Sequence, residues 1–206
     1  MNKILTISTI DKKILIILQS GSNIIDKLYI EEENRQAELL VVNMEKLLQK
    51  NNIWYEDLDC VSVINGPGSF IGLKVAIATV KAIKSVYNNI KVITNNVFEI
   101  LSFRENFDFV VLKADMNGYY LYNNNKNISY IDKNYLENID KPNNIIISNI
   151  KNIIDFFKQN TKLKITDINI EKIILLNAYK YENNVFSNEI KALYIMDPKI
   201  NKRKNE

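Results

Sequence analysis

Histidine is absent from the 206-residue chain, and cysteine occurs once, at Cys60. Without histidine there is no Ser-His-Asp triad and no His-ligated zinc, so no metal site of the transition-metal kind is expected. One cysteine excludes an intrachain disulfide. At the head of an apolar run it reads as a buried, inert thiol. Charge of one sign is also missing: 27 basic against 24 acidic residues leave +3, too little to argue for nucleic-acid binding alone. No apolar run reaches the length of a membrane span. The first ten residues are interrupted by Asp11-Lys12-Lys13 too soon for a secretory leader. A cytoplasmic protein without membrane association is expected. Its length, with 47% hydrophobic and 25% charged residues, allows a sizeable core in one domain or two small ones.

Glycine and proline are scarce too, with five and three residues, yet three glycines and one proline fall within residues 66–72. Residues 61–64 read as a buried β-branched strand. Gly66-Pro67-Gly68 then forces a tight reversal, because glycine reaches positive φ cheaply, and a β-branched residue at Gly68 would be strained if φ is positive there. Ser69 is placed to cap a helix over residues 73–87. Gly66, Gly68 and Gly72 are one residue too widely spaced for the dinucleotide fingerprint. A P-loop fails as well, because Leu73 and Lys74 follow Gly72. A structural turn and a ligand loop both stay open at this point.

Before this stretch, residues 3–9, 13–19 and 23–30 read as consecutive antiparallel strands. Glu31-Glu32-Glu33-Asn34 announces a helix over residues 35–50, with Asn34 as its cap. After it come a strand at 91–94, a short helix at 97–103, and strands at 109–114 and 118–122 around an Asn-Gly turn. Residues 123–142 are asparagine-rich and read as loop with short strand pieces. A strand at 145–147 and helices at 150–159 and 171–179 follow, and residues 192–196 close the domain. No internal repeat is legible.

Asn65-Gly66-Pro67-Gly68-Ser69-Phe70-Ile71-Gly72-Leu73-Lys74 resembles the G-P-G-S-F-T-G-[LV]-R signature of the TsaB (YeaZ) family. Residues 35–48 align with that family's H-S-E-R-L-L-P helix, with Arg35 at the histidine and Val41 at the proline. Residues 192–198 resemble its closing P-x-Y-L-R-x-P, and residues 113–121 its A-D-A-R-x-G-E-V-Y hairpin. Gly118 is kept there, Met116 replaces the arginine, and Asp115 falls one place late. The resemblance implies an α/β, actin-like ATPase (ASKHA, ribonuclease-H-like) fold with two subdomains, the second reduced. The expected boundaries are 1–104 and 105–198, with a basic tail at 199–206. Family members are non-catalytic partners in tRNA threonylcarbamoyladenosine synthesis. The implied partners are a TsaD-like catalytic subunit and a TsaE-like ATPase, with tRNA reached through the complex, or a second copy of the chain.

The first strand of the family ends in Asp-Thr, and here Ser8-Thr9 stands there. In ATP-using actin-like proteins that acid orients magnesium or water, a task for an oxygen anion. Serine lacks the charge, and Asp11 is the nearest substitute. No catalytic, cofactor or metal residues are therefore expected. On helical wheels, Ala37, Leu40, Val41, Met44, Leu47 and Leu48 form one inward stripe. Gly72, Val75, Ala76, Thr79, Ala82, Ile83 and Val86 form the other. Outward apolar residues beside charges then predict a partner face of Arg35, Leu39, Val42, Leu73, Lys74, Ile77, Val80 and Lys81. Two other readings compete. One is an active enzyme of the same fold, an ATP-dependent kinase or a peptidase. The other is a direct tRNA-binding module using Lys74, Lys81, Lys84 and the tail.

Overall fold

The computed structural model describes residues 1–10, 13–32, 35–116, 118–137, 144–148 and 162–195. The predicted helix at 150–159, the basic tail, Asn34 and Asp11 lie outside them. Three β-rich runs give β1 (Lys3–Ser8), β2 (Ile14–Ser20) and β3 (Asn23–Ile30), with a tight turn at residues 21–22 between the last two. The chain continues through α1 (Gln36–Lys50), β4 (Cys60–Ile64), α2 (Phe70–Val86) and β5 (Lys91–Asn95). These strands form one sheet, ordered β3-β2-β1-β4-β5. Pairing is antiparallel from β1 to β3 and parallel across β1, β4 and β5. After α3 (Val97–Ser102), the scheme repeats with β6 (Phe109–Lys113), β7 (Gly118–Asn123) and β8 (Ile128–Asp132). Then come α4 (Lys133–Glu137), β9 (Asn144–Ser148), β10 (Lys162–Ile165) and α5 (Ile170–Glu182). The second sheet is ordered β10-β9-β6-β7-β8, antiparallel through β6–β8 and parallel through β6, β9 and β10. The two sheets thus share one topology, a duplication the residues alone do not reveal. The asparagine-rich stretch holds β8 and α4.

Three apolar layers hold this together. Leu5, Ile7, Ile16, Val61, Val63 and Val92 of the first sheet pack under α1 and α2. A second layer joins the sheets: Phe98 and Leu101 of α3 and Ile173 and Leu176 of α5 meet Val110, Tyr122 and Ile146. Val111, Leu121, Ile131 and Ile145 cover the far side with Leu136 of α4. Burial of such side chains contributes about 1.5–3 kcal/mol each. Cys60 is fully buried, which pushes its thiol up to about 12 and leaves it inert.

The end of α1 is tied to the edge strand by charge. Lys50 Nζ lies 2.8 Å from Asp26 Oδ2, and Asn51 Nδ2 donates to the same oxygen at 2.9 Å. These bonds, Lys50 first, hold the Asp26 carboxyl down from 3.8 to about 2. A depressed folded value means the contribution is full above pH 3.8 and fades as pH falls toward 2. Asp26→Asn should therefore be less stable than the parent near pH 7, with the gap closing below about pH 2. Parallel urea titrations at the two pH values check this, and a gap that persists in acid contradicts it.

Candidate functional site

The glycine loop leaves β4 at Asn65 and enters α2 three residues earlier than the sequence suggests. Ser69 is the cap, and its Oγ accepts from Gly72 N at a long 3.4 Å. The positive φ of the loop lies at Gly66, at 123°, and Gly68 does not share it. What Gly68 and Gly72 provide is closeness to the β1–β2 turn. A Cβ on Gly68 would sit 2.8 Å from both Cβ and the carbonyl oxygen of Ile10. One on Gly72 would overlap the Thr9 carbonyl oxygen. Thr9 Oγ1 donates to the Gly72 carbonyl at 2.7 Å, and Ser69 N donates to the Ile10 carbonyl at 2.9 Å. Thr9 is wholly buried and Ile10 nearly so.

The C-terminal segment closes the loop from the other side. Leu193 N donates to the Asn65 carbonyl at 2.7 Å, and Asn65 Nδ2 donates to the Lys191 carbonyl at 3.0 Å. The Tyr194 ring lies 5.3 Å from that of Phe70, and Lys74 Nζ sits 4.0 Å above the Phe70 ring. The loop is thus packed on both flanks by the chain itself. A magnesium nucleotide held there would need an acid at the end of β1 and backbone N–H groups open to phosphate. Ser8 occupies the first place, nearly buried, and Ser69 N is already bonded to the Ile10 carbonyl. Among the described residues, the end of β1 offers no carboxylate to that ligand. Among them, no group of three or more His, Cys, Asp or Glu is placed to hold a metal ion.

The helix faces correct the wheel reading. In α2 the buried residues are Gly72, Leu73, Ala76, Ile77, Val80 and Ile83. Leu73, Ile77 and Val80, predicted to face a partner, are 1%, 7% and 0% exposed and belong to the core. The helix is rolled so that Leu73 reaches the inter-sheet layer while Ile77 and Val80 sit on the sheet. Ala82 and Val86, predicted to be inward, are instead exposed. In α1, Gln36, Leu40, Met44, Leu47 and Leu48 are buried. Leu39 is half-buried against the core, while Ala37 and Val41 face outward. Val42, Lys74 and Lys81 are exposed as predicted. Arg35 is exposed too, with its guanidinium paired to Glu32 at 2.8 Å and Glu38 at 2.9 Å. The outer arc of α2 therefore carries Ile71, Ala78 and Ala82, with Val86 at its end, and α1 adds Val41 and Val42.

No helix among the described residues is long and apolar enough to cross a membrane. YeaZ from Pseudomonas aeruginosa is similar in structure, with a TM-score of 0.73 at 16% identity, covering 94% of this chain and 100% of that one. A second structure, described as an uncharacterized protein with similarity to the peptidase YeaZ from Pseudomonas aeruginosa, also gives 0.73. Its identity is 15%, covering 95% of this chain and 100% of that one. A Listeria monocytogenes protein named as an N-acetylmannosamine kinase gives 0.57 at 11% identity, covering 88% and 100%. These likenesses, with the two sheets of one topology, show the actin-like ATPase fold. Residues 32–192 match the family described as "TsaD: tRNA N6-adenosine threonylcarbamoyltransferase". With most of its length matched, glycine loop included, the chain belongs to this tRNA-modifying family and is a YeaZ (TsaB)-like member of it.

Proposed function

We propose that the chain is a non-catalytic scaffold subunit in the synthesis of N6-threonylcarbamoyladenosine in tRNA. It docks through the outer faces of α1 and α2 onto a TsaD-like catalytic subunit, with a TsaE-like ATPase completing the assembly and tRNA reached through it. A second copy of the chain competes for the same face. The observation that carries this reading is the exposed apolar surface of the helix pair. Val41 and Val42 are 41% and 48% exposed, and Ile71 and Val86 are 68% and 69% exposed. Lone exposed aliphatics are ordinary, but several on paired helices make a patch that suits a partner. The self-packed glycine loop supports the non-catalytic half of the reading.

The test is reconstitution. The chain, a TsaD-type subunit and a TsaE-type ATPase are expected to modify tRNA together, and omission of the chain should abolish turnover. Full modification without it would overturn the reading. So would ATP hydrolysis by the purified chain alone above a heat-denatured control.

A further inference from the structure

The two faces of the first sheet differ in kind. Toward α1 and α2 it is aliphatic, but toward α5 it sets Thr6, Gln19, Ser62 and Asn95, all wholly buried, among apolar neighbours such as Ile17, Ile64 and Ile93. These four come from β1, β2, β4 and β5, the four strands that lie side by side. Opposite them stands Asn177 of α5, also wholly buried. A carboxamide has two N–H donors and two acceptor directions, and Asn177 uses all four. Its Nδ2 donates to Thr6 Oγ1 at 2.8 Å and to Gln19 Oε1 at 3.0 Å. Its Oδ1 accepts from Ser62 Oγ at 2.8 Å and from Asn95 Nδ2 at 2.7 Å. Gln19 Nε2 answers by donating to the Ile174 carbonyl of α5 at 3.0 Å.

We propose that Asn177 is a bolt, fastening α5 in a single register on the first sheet and so holding the two halves of the molecule in one arrangement. Ile173 and Leu176 of α5 pack into the layer shared with the second sheet, so the helix belongs mechanically to both. Apolar packing alone tolerates sliding. Four hydrogen bonds to one carboxamide do not, because a shift of one residue would strand the buried Asn177 amide and take the Thr6 hydroxyl and the Gln19 Oε1 from it, while Ser62 and Asn95 would keep only each other. Lys180 Nζ adds a bond to the Thr94 carbonyl at 2.9 Å, and Thr94 N donates to Ser187 Oγ at 2.9 Å just beyond the helix. Two-lobed kinases work by hinge closure around a cleft. Here the helix that follows the second sheet crosses back and bonds four strands of the first. The hinge is fastened shut.

Hydrogen exchange on the full-length chain, read peptide by peptide, tests it. In the parent, amides of α5 should open together with those of β4, within about threefold, as one cooperative unit. In Asn177→Ala, α5 should exchange at least about tenfold faster than β4 while β4 keeps its protection. Two results overturn the proposal: a parent whose α5 already exchanges tenfold faster than β4, or an Asn177→Ala chain with unchanged exchange. If Asn177→Ala does not fold, Ser62→Ala removes one bond to the same carboxamide. It should shift α5 in the same direction by about threefold or more, and no shift there also overturns the proposal.

Discussion

Gly72→Val is expected to lower the melting temperature by roughly 2–12 °C, or to leave no folded protein at the growth temperature. Gly72 lies in the first turns of α2, where intrinsic propensity favours almost any residue over glycine by up to about 1 kcal/mol. Propensity loses here because the added Cβ would overlap the Thr9 carbonyl oxygen. Neither side can retreat. The helix is seated by Leu73, Ala76, Ile77 and Val80, and the turn is held by the bonds from Ser69 N and Thr9 Oγ1. Overpacking at such a place costs about 1–3 kcal/mol, and the strained Thr9 bond adds to it. At about 2–4 °C per kcal/mol for a chain of this size, the expected fall follows. Thermal melts followed by circular dichroism decide it. Gly72→Ala should lie between parent and valine variant. An alanine variant that melts at or above the parent would show that the contact relaxes without cost.

The glycine loop was legible as a strand, a reversal and a capped helix because each part is local. Its purpose was not. Thr9 and Gly72 are 63 residues apart, and nothing in the spacing of glycines names the oxygen they must approach. The meander β1–β3 and the parallel strands β4 and β5 were readable from alternating or β-branched runs between polar breaks. The buried side of α2 was not, because the helix is apolar around most of its circumference. A wheel with Phe70, Ile71, Leu73, Val75, Ala76, Ile77, Ala78, Val80 and Ile83 has no single apolar arc. Which arc is buried is set by where the neighbouring strands lie. The duplication of the sheet was implied by the family resemblance but not visible as a repeat of residues, for a related reason: a strand needs only alternation, so two copies can share topology without sharing residues. Asn177 was invisible as a hub, since its partner Thr6 lies 171 positions away.

Two adjacent residues of α2 should give opposite results. Ala78 is exposed on the outer arc, while Ile77 is 7% exposed and packs into the core beneath α1 and α2. Ala78→Glu combined with Val42→Glu places both charges in water in the free chain, so each should change stability by no more than about 0.5 kcal/mol. Docked against a partner, the same carboxylates would be buried without counter-ions, an expense of several kcal/mol. A loss of about 3 kcal/mol corresponds to a fall in affinity of more than a hundredfold. The double variant should therefore melt like the parent yet fail to co-elute with a TsaD-type subunit, and tRNA modification should fall with it. Ile77→Glu should instead unfold the isolated chain, because its charge has no route to solvent from the core. A folded double variant that still binds at parental affinity would move the docking face away from α1 and α2. A folded Ile77→Glu chain would show that the buried side of α2 is not where the packing of Leu73, Ile77 and Val80 puts it.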